Sequence, residues 1–492
     1  MRLEEYASHD AVSLADLVAR REVTAEELLD LALTATEAVN ADINGVISRF
    51  GDRARSEIAA GLPEGPLTGV PFLIKECMLM MEGAPYRLGC RLLDGYTSPN
   101  DTELMIRFRK AGLVTFGTTS TPETAYSPTT EPVMFGPCRN PWNLAHSAGG
   151  SSGGAAAAVA AGIVPVAHAN DGGGSIRIPA ACCGVVGLKP TRHRVPQGPN
   201  YGELLQGLSC ELAISRTIRD MAVVLDAAQG ADIGAKNIIA PPERPYAEEI
   251  RRPHHRMKIA LMDASFSGTK VDPELVDCVQ QVGRVCEQLG HQVVPARLRI
   301  ECERFFEATH IVWSTNVAAI VDGLSTLTGR AVSEDMLEAA TWACYVDGKN
   351  TSAVDLIGAL DVFNAISRDV GRFFADYDLL LTPTLARLPL KLGELDQNRA
   401  GITGREWTMG VFDWCNFTPL FNTTGQPAIN LPLGMSQSGL PIGIQFVGRM
   451  NDEASLLRIG SQLESAMPWR ERIPPTHISH ATRPAATFHA PR

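Results

Sequence analysis

Apolar runs and amphipathic stretches alternate along almost the whole chain. Thr24-Ala-Glu-Glu27 has the form of a capping box, and apolar positions at helical spacing follow over Leu28–Val39. The first 40 residues therefore read as helices. Residues 66–76, PLTGVPFLIKE, read as a turn and then a buried strand with Lys75 near its end. Asp101–Ala111 reads as a helix and Leu113–Gly117 as a short strand after an Ala-Gly break. The recurring order of strand, helix, strand favours an α/β sheet.

Residues 136–154, GPCRNPWNLAHSAGGSSGG, have loop chemistry, followed by a helix over 155–162 and a strand over 163–169. A second glycine loop, Asp171–Ser175, comes next. Further helices are expected at 217–229, 273–289 and over most of 303–375. Strands are expected at 258–262, 291–295, 379–382 and 428–447, the last with turns at Gly434 and Gly439. Residues 230–257, with Pro241, Pro242, Pro245 and the basic run RRPHHRMK, read as a surface excursion, because the pattern resumes after them. The tail from Pro474 is polar and reads as loose.

Composition narrows the class. The 492 residues are 45% hydrophobic and 20% charged, which excludes wholesale disorder. A net charge of −11 argues against nucleic acid or an anionic membrane as partner. Eleven cysteines with no CxxC pair give neither a disulfide framework nor a zinc site, and point to a cytoplasmic location. The N-terminus shows no signal-peptide pattern, and the longest apolar run, Gly154–Ala167, is too short to cross a bilayer.

Three places could carry chemistry. Three glycines before Ser175 allow successive N–H groups to converge on an oxyanion, although a tight turn reads the same way. Gly149-Gly150-Ser151-Ser152-Gly153 fits a nucleophile-elbow spacing but lacks a strand before it, so a glycine hinge is the commoner reading. Lys75 beside Val70–Ile74 either snorkels to water or, if buried, becomes a neutral base. Together they offer what a serine nucleophile needs, a base and an oxyanion hole.

The run GGSSGG with its alanine-rich helix, then DGGGSIRIPA, then GVVGLKPT, resembles the amidase signature family. So do Gly69–Phe72 with Lys75, Thr118–Glu123, Leu381–Thr384, Asn422–Pro432 and Gly439–Gly443, so that the resemblance spans about residues 10–470. It implies one α/β/α domain over 1–475 with a large, mixed, twisted sheet, N-terminal helices at 10–62 packed on it, and a loose tail at 476–492. It implies Ser175 as nucleophile, Ser151 as a bridging serine after a cis peptide, and Lys75 as base. The oxyanion donors would be the backbone N–H groups of Gly172, Gly173, Gly174 and Ser175. Ser152 and Asp171 would support the loops, and Arg177 would be structural. Gly172 departs from the family, which usually has threonine or serine there.

No metal or organic cofactor is implied. The expected activity is hydrolysis of C–N bonds in small carboxamides through a serine acyl-enzyme. The nearest kinds are acyl and aryl amidases, with carbamate or cyclic-amide hydrolysis as alternatives and a glutamyl-tRNA amidotransferase A-type subunit further off. The substrate is expected to be a small molecule, and a homodimer is compatible with the resemblance. The aromatic segments point to Tyr126, Trp313, Asn316 and Trp414 as pocket residues, ordinary core packing being the alternative.

Overall fold

The apolar runs become the strands of one sheet. The computed structural model describes residues 1–252 and 255–480. The strands are β1 (Val46–Arg49), β2 (Pro71–Lys75), β3 (Val114–Thr119), β4 (Arg139–Asn140), β5 (Asn143–Ser147), β6 (Val166–Asp171), β7 (Val186–Lys189), β8 (Cys210–Ser215), β9 (Lys258–Leu261), β10 (Gln292–Pro295), β11 (Leu379–Pro383), β12 (Ala428–Met435) and β13 (Pro441–Gly448). Eleven of them form a mixed sheet in the order β1-β3-β2-β6-β8-β7-β12-β13-β11-β9-β10. β2 runs parallel to β3 and β6, whereas β6–β8, β8–β7 and β12–β13 are antiparallel.

Every residue of β2, β3, β6, β7 and β8 is buried, as a central strand covered on both faces requires. The edge strands β1 and β10 keep exposed positions. Helix Ala25–Ile43 begins at the expected box: Thr24 accepts from the Glu27 N–H while Glu27 accepts from that of Thr24. Helices Cys302–Thr328, Ala339–Asn350 and Ala353–Asp376 build two satellite cores beside the sheet's own. No helix among the described residues is long and apolar enough to cross a membrane.

Several expectations are corrected. Residues 136–154 are not all loop: β4 and β5 form a small hairpin. β8 has no counterpart among the expected strands, because Glu211 breaks its apolar run. Gly434 lies within β12 at a register shift, and the turn comes later, where Gly439 N–H bonds to Ser436. The excursion over 230–257 is anchored by buried Tyr246, whose hydroxyl donates to Glu453; its residues 253–254 lie outside the described residues. The tail is not loose where it begins. Thr476 N–H bonds to Pro141, Ile478 N–H to Ala161, and the Ile478 side chain is buried. The rest of that tail, 481–492, lies outside the described residues.

Candidate active site

The sheet order makes neighbours of β2 and β6, and the site grows from their C-terminal ends. Lys75 closes β2 and is fully buried. Its Nζ lies 2.7 Å from Ser151 Oγ and 2.5 Å from Asn170 Oδ1. Burial lowers its pKa from the ordinary lysine range, against the smaller opposing effects of Cys77, Glu211 and Asp171. A neutral amine in contact with a hydroxyl can accept its proton.

Ser151 and Ser152 lead into helix Gly153–Ala160. The Gly150–Ser151 peptide is cis, as the resemblance implied. Ser152 Oγ donates to the Asn170 carbonyl and its N–H to the Ser175 carbonyl, at 3.2 and 3.3 Å. These bonds hold the two glycine loops side by side. Ser175 precedes helix Arg177–Cys183, and its Oγ has no hydrogen-bond partner among the described residues. Lys75, Ser151 and Ser175 are thus brought together, with the Lys75–Ser151 hydrogen bond already formed.

Asp171, the last residue of β6, braces the loop. Its carboxylate accepts from Gly174 N–H at 2.6 Å, Ile176 N–H at 3.1 Å and Arg177 Nε at 2.9 Å. Burial alone would raise its pKa, but the Arg177 charge and hydrogen bonds overcome that and hold it at about 2. Arg177 is buried too, and bonds to Thr418 O, Gln445 Oε1 and Asn422 Oδ1. Gly174 has φ +133°, and a Cβ there would collide with the Thr418 hydroxyl, so only glycine fits.

This bracing corrects the expected oxyanion set. The Gly174 N–H is spent on Asp171. Those of Gly172, Gly173 and Ser175 have no protein acceptor among the described residues, so three donors are free instead of four.

Ser175 opens on a cavity of about 60 Å³. Tyr126, Pro128, Ile178, Trp313, Val411 and Phe412 supply most of its wall, with hydroxyls from Ser127, Thr309 and Thr408 and no charged side chain. Tyr126 and Trp313, both on that wall, stack at 5.0 Å between ring centroids. The two other pocket expectations fail. Trp414 is fully buried in the main core with Nε1 on the Arg387 carbonyl, because it lies two residues past Phe412 and so on the opposite side of helix Gly404–Trp414. Asn316 does not line the cavity; its amide turns back onto the Val312 carbonyl of its own helix.

Sequence reasoning missed Asn170, Asn422 and Gln445. Asn170 had a signal, a polar residue inside an apolar strand one position before the glycine loop. Asn422 and Gln445 lie some 250 residues beyond the loop they hold; Asn422 opens one of the stretches that carry the resemblance, but nothing local ties either residue to that loop.

Comparison with known proteins agrees with this geometry. Residues 27–457 match the family model described as Amidase. The chain is 36% identical to the 6-aminohexanoate-cyclic-dimer hydrolase of Paenarthrobacter ureafaciens, covering 94% of this chain and 96% of that one. It is 32% identical to an acylamidase of Rhodococcus erythropolis, with the same coverages. A solved structure of 6-aminohexanoate cyclic dimer hydrolase complexed with substrate superposes with a TM-score of 0.91 at 34% identity, covering 96% of this chain and 99% of the other. A bacterial aryl acylamidase superposes at 0.86 and 27% identity, over 97% and 99%.

Proposed function

This chain belongs to the amidase signature family and hydrolyses amide C–N bonds; from that premise we propose that Ser175 is its nucleophile, Ser151 the proton relay and Lys75 the base. The observation that carries the reading is the 2.7 Å contact between buried Lys75 Nζ and Ser151 Oγ beside the Ser175 loop. Ser175 Oγ attacks the carbonyl carbon while its proton passes through Ser151 to Lys75. The oxyanion forms against the free N–H groups of Gly172, Gly173 and Ser175, each such donor contributing about 3 kcal/mol to the transition state. Collapse breaks the C–N bond, and Lys75 returns the proton through Ser151 to the leaving nitrogen. Water then hydrolyses the acyl ester by the same relay.

The uncharged cavity supports a neutral acyl group, since a buried charge without a partner is strongly disfavoured. We therefore propose an uncharged amide, cyclic or N-acyl, in preference to a zwitterionic linear one. The similarity to a cyclic-dimer hydrolase supports the same choice. The free thiols, ten of them buried, suit a cytoplasmic setting.

Initial rates on a matched panel test this. The panel is the 6-aminohexanoate cyclic dimer and its linear counterpart, an anilide, a primary aliphatic amide, an aryl carbamate and a p-nitrophenyl ester, each with Ser175→Ala beside it. We expect turnover of a neutral amide, a rate on the linear zwitterion at least tenfold lower, and loss of about 10³-fold or more in Ser175→Ala. Best turnover of the carbamate would make the enzyme a urethanase on the same residues. Activity surviving in Ser175→Ala would sink the assignment and bring Ser151 forward.

A further inference from the structure

The base proposed above has a carboxyl behind it. β2, β6 and β8 are adjacent in the sheet, and Lys75, His168, Asn170 and Glu211 meet there, all buried. Asn170 stands directly opposite Glu211 in the β6–β8 ladder. His168 Nδ1 accepts the Lys75 backbone N–H at 3.2 Å. The ring proton is thereby fixed on Nε2, which donates to Glu211 Oε2 at 2.8 Å. Glu211 Oε1 is buried with no partner among the described residues.

Other acids near Lys75 are already matched, Asp171 by Arg177 and Glu76 by Arg87. Glu211 has no arginine or lysine in ion-pair contact among the described residues. The remaining titratable neighbours are the Cys77 thiol and the Tyr201 phenol, both pushed up by burial, the phenol to about 12, and so neutral. Glu211 also lines a second cavity of about 260 Å³ that shares no residue with the acyl cavity. Its walls carry His193, Gln197, Tyr201, Asp232 and Lys236, which suits water.

We propose that Glu211 is a positioning residue that balances the charge Lys75 acquires from the serine proton, so that the two titrate as one unit connected to water through the second cavity. The proposal rests on Lys75 being the base. Burial disfavours a lone charge on either group, and a charge on one favours the opposite charge on the other. Lys75 takes the serine proton with the Glu211 carboxylate balancing its charge, and passes that proton on to the leaving nitrogen, so the count returns to its start.

The test is the pH dependence of kcat/KM on a neutral amide in wild type and Glu211→Gln. Glutamine keeps the shape and an acceptor for His168 but cannot carry the negative charge. The ammonium then lacks its partner, so the acidic limb should move down by about one pH unit. The amine is also a weaker base, so kcat should fall about tenfold. A purely structural residue would change rate or stability and leave the midpoint in place, and an unmoved midpoint overturns the proposal. Should Glu211→Gln not fold, Glu211→Ala assayed with and without formate decides it. Formate entering the vacated site should restore rate, and absence of rescue counts against the proposal. Ser175→Ala separates the two readings. If it stays active, the nucleophile assignment has failed; if it is dead and the limb is unmoved, only the Glu211 proposal has.

Discussion

Gly172 shows how one missing side chain is used. A Cβ there would sit 2.7 Å from Leu205 Cδ1 and 3.3 Å from Trp313 Cη2, so the space a family threonine or serine would fill is taken by Leu205 and the cavity-lining Trp313. Gly172→Ser should fold, since the closest atom is the tip of a flexible leucine, at a stability cost of about 1–3 kcal/mol. Pushing Trp313 should raise KM several-fold with little change in kcat, and Leu205→Ala in the same chain should reverse most of that. Equal losses in kcat and kcat/KM would instead mean that the oxyanion donors had moved. At this scale the sequence was legible where the candidate residues are marked by local pattern. Lys75, Ser151 and Ser175 sit on an apolar strand and two glycine loops that announce themselves. Trp414 and Gly174 were misjudged for physical reasons: composition gives no helix phase, and glycine spacing does not say that the Asp171 carboxylate takes the Gly174 N–H.

Among elements, the segment from β6 through the glycine loop into helix Arg177–Cys183 does the positioning, and the Asp171–Arg177 pair holds it. Arg177→Met should cost about 3–5 kcal/mol, because it leaves a buried carboxylate uncompensated. Asp171→Asn combined with Arg177→Met should be less damaging than Arg177→Met alone, a double-mutant comparison that urea melts can make. Strands that are mainly apolar, such as β2 and β11, could be read in advance. β8 could not, since Cys210-Glu211-Leu212 places an acid where periodicity expects an apolar residue. The acid that hid the strand is the one proposed to serve Lys75.

At the scale of the molecule, buried acids set the response to pH. Burial, with Asp10 beside it, pushes Asp220 up to about 7, although the Ala11 and Val12 N–H groups bond to it. Burial likewise raises Glu464 to about 7. In the unfolded chain such groups ionise near 4. As pH rises from about 4 to 7 the unfolded state therefore sheds protons that the fold retains, and stability declines. Asp171 acts oppositely. Its depressed pKa contributes stability above about 4 that is lost as pH falls toward 2. The melting temperature should peak in mildly acidic solution and fall by several degrees toward pH 8, with Asp220→Asn flattening the alkaline side in calorimetric scans.

The guanidinium of Arg177 also has a history in time. It must wait for Asn422 and Gln445, which the ribosome adds 245 and 268 residues later. At roughly 5–20 residues per second, Asn422 follows Arg177 by about 12 to 50 s. Throughout that interval the loop proposed to hold the oxyanion has its brace only half made. The nascent chain thus carries that loop unfinished through this stretch of synthesis, and only the arrival of Asn422 and Gln445 closes it.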